Sequence, residues 1–137
     1  MKIKITKVRE SAKLPTRAHY NDAGADVYTA AHATMHPHET VRIPLGISIE
    51  VPDGYMACIF PRSGMAYAGV VCEIPPIDPG YRGELYAIVS NLADYTQSLE
   101  EGTRVGQLVV VPCVICDFVE DLGDERGDRA FGSTGIK

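Results

Sequence analysis

The sequence predicts an all-β domain, and three observations carry that expectation. Along the apolar stretches the hydrophobic period is two rather than 3.6. The 24 valines and isoleucines outnumber the 7 leucines, a bias that suits a pleated, half-buried surface. Glycine and proline together supply 22 of the 137 residues, more turn formers than a helical chain uses. No amphipathic pattern of even three helical turns is present. A chain of this length is expected to form one domain.

The elements follow in order. Ile3, Ile5 and Val8 nearly alternate with Lys2, Lys4 and Thr6, which makes a first strand. Asn21-Asp22 signals a turn. Leu45, Ile47, Ile49 and Val51 alternate with Gly46, Ser48 and Glu50 as the next clear strand. Pro52-Asp53-Gly54 then turns the chain into a strand over residues 55–60. After the turn at Pro79-Gly80, Leu85, Ala87 and Val89 alternate with Glu84, Tyr86 and Ile88. Glu101-Gly102 leads into a strand over residues 105–111, and a further strand is expected over 113–119, beyond Pro112. Short strands regularly separated by turns make a sandwich, a barrel or a jelly roll, and the pattern leaves the three open. These elements fill residues 1–120 without a repeat or a linker.

Residues 121–137 differ in kind. They are charged, glycine-rich and poor in β-branched residues, so a mobile arm is expected there. One aromatic, Phe131, lies between Arg126 and Gly132-Ser133-Thr134-Gly135. That combination suits a lid over a charged, planar ligand; the alternative is a frayed tail. The embedded Arg126-Gly127-Asp128 matches an adhesion tripeptide and is read as a chance match.

Composition narrows the function classes. No apolar run approaches the roughly 20 residues of a membrane-spanning helix. Met1-Lys2-Ile3-Lys4-Ile5 alternates and lacks the apolar core of a signal peptide, so a cytoplasmic location is expected. The net charge of −5 argues against a duplex-binding protein, which needs a basic face. It leaves room for a nucleotide whose phosphates meet a few arginines and a metal. Cys58, Cys72, Cys113 and Cys116 are expected to be free, buried thiols. A strand would point Cys113 and Cys116 to opposite faces and deny a metal both sulfurs. His32, His36 and His38 share a turn-like stretch and are read as solvated.

Two segments carry candidate chemistry. Pro61-Arg62-Ser63-Gly64-Met65-Ala66 follows a strand. Its arginine fork, hydroxyl and glycine can cradle a phosphate, although Ser-Gly after a strand is also an ordinary turn. Ile77-Asp78-Pro79-Gly80-Tyr81-Arg82-Gly83-Glu84 places a carboxylate and an aromatic ring near a hairpin tip. A carboxylate there can orient and deprotonate a water; alone, the segment also reads as a Pro-Gly turn with a solvated aspartate.

Together with Ala23-Gly24-Ala25-Asp26-Val27-Tyr28, Arg104-Val105-Gly106-Gln107-Leu108 and residues 126–135, these two segments resemble the five ordered motifs of the trimeric dUTP pyrophosphatases (dUTPases). Order and spacing fit over nearly the whole chain. Phe131-Gly132-Ser133-Thr134-Gly135 is the sharpest single match.

The resemblance implies a distorted jelly roll of the β-clip type, assembled as a homotrimer with shared active sites. It also implies hydrolysis of dUTP to dUMP and pyrophosphate with Mg²⁺. Such a reaction lowers dUTP and supplies dUMP for thymidylate synthesis. On the same basis Asp78 activates the attacking water and Tyr81 packs under the deoxyribose. Arg62, Ser63, Gly64 and Gln107 contact phosphates, while Pro75, Pro76 and Ile77 lie where uracil is read. Asp26 holds the metal through water. Arg126, Gly132, Ser133 and Thr134 close the site, with Phe131 stacked over uracil. No role for duplex nucleic acid or membrane is implied. Phosphoryl transfer needs positioning and charge neutralisation more than covalent help, which suits an acidic chain with local donors.

Two departures from the family pattern stand out. Glu73-Ile74-Pro75-Pro76 replaces a Gly-Ala-Gly-Val stretch, and proline has no N–H to offer a base. Arg129-Ala130 replaces Gly-Gly before Phe131, which stiffens the arm. Two rival readings accompany the first. A dCTP deaminase of the same fold needs a glutamate three residues before its asparagine, and Ile88 occupies that place before Asn91. A non-catalytic, dUTP-binding regulatory or structural trimer is the other, and the intact Asp78 argues against it.

Overall fold

The period-two pattern is realised as a set of short, paired strands in the computed structural model, which describes residues 1–123. In chain order these are β1 (Lys4–Lys7), β2 (Ala25–Tyr28), β3 (Ala33–Met35), β4 (Thr40–Pro44), β5 (Ile47–Glu50), β6 (Tyr55–Phe60), the one-turn helix α1 (Ser63–Tyr67), β7 (Val70–Cys72), β8 (Tyr86–Asn91), β9 (Gln97–Leu99) and β10 (Arg104–Pro112). They pair as β1-β5, β2-β10-β6, β3-β9 and β4-β8-β7, antiparallel throughout. Most neighbours are distant in sequence, so the chain wraps around itself as a distorted jelly roll. The all-β expectation holds. Among the described residues no helix is long and apolar enough to cross a membrane.

Alternation places the core. In β8, Ala87, Val89 and Asn91 point inward, while Tyr86, Ile88 and Ser90 are half-buried. Met35, Ile43, Leu45, Ile47, Val27 and Val105 complete a closed apolar interior. Thr29, Ser48 and Asn91 are buried polar residues, and Asn91 is wholly buried and fully satisfied. Its amide donates to the carbonyls of Met35 and Tyr95 at 3.0 and 2.8 Å. Its oxygen accepts from Ala93 N–H and Gln97 Nε2 at 3.1 and 2.9 Å. The residue therefore bolts the β8–β9 connection to the β3 end, a structural task with no group left for substrate.

The turns form where turn residues stand. Tyr55 N–H closes on Pro52 O with Gly54 at φ 83°. Thr103 N–H closes on Glu100 O with Gly102 at φ 82°.

One expected strand is absent. Residues 113–119 belong to no strand. Pro112 ends β10, and Cys113 N–H, donating to Gly54 O, makes the last backbone tie to the body in that stretch. Beyond it Val114, Ile115, Phe118 and Val119 are at least four-fifths exposed, because no strand among the described residues lies beside them. The expectation for the cysteines divides accordingly. Cys58 and Cys72 are buried, whereas Cys113 is half-buried and Cys116 exposed. The periodicity of 113–119 suits a strand, but a strand also needs a neighbour to bond.

Candidate active site

Two groups of sequence-predicted residues gather in separate places. The first forms where β2, β10 and the end of β6 meet. Register sets Gln107 of β10 opposite Asp26 of β2 on one side and Phe60 of β6 on the other. Arg62, the residue before α1, reaches back to Asp26, with Nε 3.5 Å from Oδ1. Arg104 approaches the other carboxylate oxygen at 3.6 Å, and Arg62 donates to its carbonyl at 3.3 Å. Gln107 Nε2 donates to Pro61 O at 3.0 Å. Gly24 is required here by close approach, since a Cβ would lie 2.8 Å from Gln107 Cβ and 2.6 Å from its Oε1. Ser63 and Gly64 open α1 at the exposed rim, with open space above Gly64. Two guanidinium groups, an amide and exposed backbone around one carboxylate form a cationic, donor-rich surface suited to phosphates.

The second group is a loop. Tyr81 N–H returns to Asp78 O at 3.2 Å, with Gly80 at φ 98° after Pro79. This is a type II turn with proline and glycine at their favoured positions. Asp78 stands exposed at its start. The loop is pinned to β6, because Ile77 and Ala57 exchange backbone bonds of 2.7 and 3.1 Å. Asp78 and Tyr81 line a cavity of about 190 Å³ with Glu73, Pro75, Pro76 and Ile77. The Tyr81 hydroxyl donates to Glu84 O at 2.9 Å, and its ring lies so close over Gly83 that a Cβ there would sit 2.5 Å from the hydroxyl. Gly83 therefore lets the ring fold back on its own loop.

The cavity of the loop and the cleft beside Gly24 and Gln107 share no lining residue. Consecutive residues of β6 divide them: Ile59 lines the first and Phe60 the second, as alternation along a strand requires. Arg126, Phe131, Gly132, Ser133 and Thr134 lie outside the described residues.

Residues not singled out in the sequence support the loop from behind. The Glu84 carboxylate accepts from Arg9 Nε at 2.6 Å and Nη2 at 3.1 Å. It also accepts from Gly46 N–H at 3.0 Å and the Tyr86 hydroxyl at 3.1 Å. The Arg9 hydrogen bonds hold the Glu84 carboxyl below the usual carboxylate range, with Tyr86 and Gly46 adding to them against the effect of burial. Glu84 in turn raises the Arg9 pKa. Arg42 stacks 4.2 Å above the Tyr86 ring. Arg9 lies 75 residues from Glu84, and no spacing rule connects residues so far apart.

Comparison with known proteins gives the family. A model of the dUTPase family matches residues 10–135. The deoxyuridine 5'-triphosphate nucleotidohydrolase of Hydrogenobaculum sp. is 41% identical, with 100% of each chain covered. That of Clostridium novyi is 38% identical over 99% of this chain and 100% of its own. Among solved structures, the Staphylococcus bacteriophage 80alpha dUTPase with dUpNHpp superposes with a TM-score of 0.90 at 28% identity, covering 98% of this chain and 99% of that one. A mutant dUTPase from phage phi11 of S. aureus, described as coordinating a structural Mg(II) ion, gives 0.83 at 26% identity, covering 89% and 99%. With the family's pattern matched from residue 10 to residue 135, the chain belongs to the dUTPase family.

Proposed function

We propose that this chain hydrolyses dUTP to dUMP and pyrophosphate, with Asp78 as the base that takes a proton from the attacking water. The observation that carries the assignment of roles is the turn that sets Asp78 and Tyr81 on one cavity. Asp78 begins the turn, exposed and therefore able to meet a water. The Tyr81 ring, folded over Gly83, gives a flat surface for the deoxyribose and fills the space a 2′-hydroxyl would need. Arg62 and Gln107 hold phosphate oxygens in the other cluster, beside Ser63 and Gly64 at the rim. Pyrophosphate release on adding dUTP, compared with the Asp78→Asn variant, tests the reading.

The residues fit Mg²⁺. Asp26 offers oxygen donors from one carboxylate whose arginine contacts, at 3.5 and 3.6 Å, are loose. A hard, strongly hydrated cation is typically held by one or two carboxylates together with substrate phosphates. Asp26 would hold such an ion through its water shell. When bound, the ion supplies neutralisation of triphosphate charge.

The working unit is a homotrimer whose sites are shared between copies. Two observations support this. The loop of Asp78 lines one cavity and Gln107, beside Arg62, lines another with no residue in common, an arrangement that suits a triphosphate held between different chains. In addition, Val114, Ile115, Phe118, Val119 and Leu122 form an exposed apolar stretch, surface that association would cover. By the family resemblance, residues 121–137 are the arm that closes the site through Arg126, Phe131, Gly132, Ser133 and Thr134, on the body formed by 1–120. The protein acts in the cytoplasm, on nucleotide rather than on duplex nucleic acid or membrane. Deamination has no support in the geometry: Ile88 carries no proton, and the Asn91 side chain is consumed internally.

A further inference from the structure

The Tyr81 hydroxyl does not face outward to a substrate. It is spent on Glu84 O, 2.9 Å away. The orientation of the ring therefore depends on where the Glu84 backbone sits. On its Cα side that backbone is held by its own side chain, which is mostly buried at 15% exposure and accepts four hydrogen bonds. Two of the four come from Arg9, a side chain 44% exposed and delivered by a different part of the fold. Arg9 is placed by the crossing of the N-terminal segment over Gly46. Val8 N–H donates to Gly46 O at 2.8 Å, and at Gly46, with φ 69°, a Cβ would lie 3.2 Å from Arg9 Cβ. The chain of contacts runs from Arg9 to the Glu84 carboxylate, through the Glu84 main chain to its carbonyl, and on to the Tyr81 hydroxyl.

We propose that Arg9 is a positioning residue for sugar selection: by fixing Glu84 it sets the angle at which the Tyr81 ring meets the deoxyribose, without touching substrate. The inference rests on the reading that Tyr81 packs against the sugar. A bidentate arginine suits this task because its planar fork restrains the carboxylate in two directions at once. Lysine supplies charge and a single directional bond. The Ser48 hydroxyl on Arg82 O at 2.6 Å keeps the loop in place without restraining the Glu84 side chain, while Leu85 N–H on Ile47 O at 2.8 Å anchors the far edge of the peptide unit that carries Glu84 O and leaves its Cα edge to the carboxylate. Loss of Arg9 therefore tilts the ring and leaves the loop attached.

The test compares kcat and KM for dUTP and UTP in the wild-type protein and in the Arg9→Gln, Arg9→Lys, Tyr81→Phe and Tyr81→Ala variants. Tyr81→Phe keeps the ring and removes its tether. Arg9→Gln and Tyr81→Phe are each expected to raise the UTP-to-dUTP ratio of kcat/KM about tenfold, corresponding to roughly 1.4 kcal/mol. The change falls mainly on KM for dUTP. The double variant is expected to resemble either single one, because both break the same chain of contacts. Arg9→Lys lies between wild type and Arg9→Gln, and it carries the test should Arg9→Gln fail to fold. A purely structural role lowers the folded fraction or the melting temperature and leaves the ratio unchanged; that result for the arginine variants overturns the inference. Tyr81→Ala separates the two levels. If it changes the ratio while the arginine variants do not, only the role of Arg9 falls. If Tyr81→Ala leaves the ratio unchanged, the sugar reading falls and the inference falls with it.

Discussion

Ile77 and Ala57 exchange both of their backbone hydrogen bonds, Ile77 N–H to Ala57 O at 2.7 Å and Ala57 N–H to Ile77 O at 3.1 Å. This one bridge fixes the Asp78 loop to the middle of β6, and it occupies the Ile77 N–H. Pro75 and Pro76 have none. The run 75–77 consequently offers no free N–H donor, and with Ile77 O taken by Ala57 its remaining backbone acceptors are the carbonyls of Pro75 and Pro76.

Base selection follows from those carbonyls. Uracil N3–H can donate to a carbonyl, whereas cytosine in the same pose sets an unprotonated N3 against it. The preference in kcat/KM for dUTP over dCTP is expected to be at least roughly 10²-fold, since a polar mismatch leaves buried groups unpaired. KM for dUTP is expected to exceed that of relatives whose hairpin keeps its N–H groups. Parallel assays with dUTP, dCTP, dTTP and UTP check both points, and equal turnover of dCTP contradicts the carbonyl readout.

Stability should depend on pH through Glu84. Its folded pKa lies below the ordinary value of 4.5, chiefly because of the Arg9 hydrogen bonds. The carboxylate therefore contributes its full stabilisation above pH 4.5 and loses it as the pH falls from there through the folded pKa. Glu84→Ala leaves Gly46 N–H and the Tyr86 hydroxyl without this acceptor, a cost of roughly 2–3 kcal/mol at neutral pH. Denaturant titrations are expected to give a wild-type-to-variant difference that is flat at neutral pH and shrinks in acid. A difference that grew in acid would contradict the ionised, hydrogen-bonded Glu84.

Thiol chemistry should divide the cysteines. Burial pushes the Cys72 thiol up to about 11, with Glu73 adding to it, and burial also raises Cys58. Cys116 is exposed and Cys113 half-buried. A thiol reagent is expected to spare Cys58 and Cys72 until unfolding, and to label Cys116 first in the unassembled chain, where no second copy covers it. Peptide mapping after timed alkylation checks the order; early labelling of Cys72 contradicts its burial.

Shared sites predict rescue between defective copies. Asp78→Asn and Arg62→Ala are each expected to be nearly inactive. Co-refolded in mixture, they should regain activity well above either alone, because some sites pair an intact Asp78 with an intact Arg62 from another copy. No rescue from a mixed assembly would place both groups of one site on a single chain.

Much of this was legible in the sequence, for identifiable reasons. Strict alternation declares the buried face directly in β8, whereas in β5 the alternating Ser48 is buried along with Ile47 and Ile49; Pro79-Gly80 declares its turn. Asp78, Tyr81, Arg62 and Gln107 stood out because their motifs are contiguous. The 113–119 stretch misled because periodicity reports a preference and cannot say whether a neighbouring strand exists. Arg9, Glu84 and Tyr86 stayed hidden as a unit because their contact depends on the chain crossing at Gly46, a relation made only by the fold. Asn91 looked like a comparison point for a deaminase, and only its bonded neighbours show that it is structural.

The central claim is that Asp78 is the base for dUTP hydrolysis. The most direct measurement is single-turnover release of pyrophosphate from dUTP with Mg²⁺ by the wild-type protein and by Asp78→Asn, alongside binding of a non-hydrolysable dUTP analogue. The substitution keeps the shape and hydrogen-bonding size of the side chain and removes its basicity. The rate is expected to fall by about 10²–10⁴-fold, the scale of a lost general base, while analogue affinity stays near wild type. A variant that releases pyrophosphate at close to the wild-type rate would contradict the account.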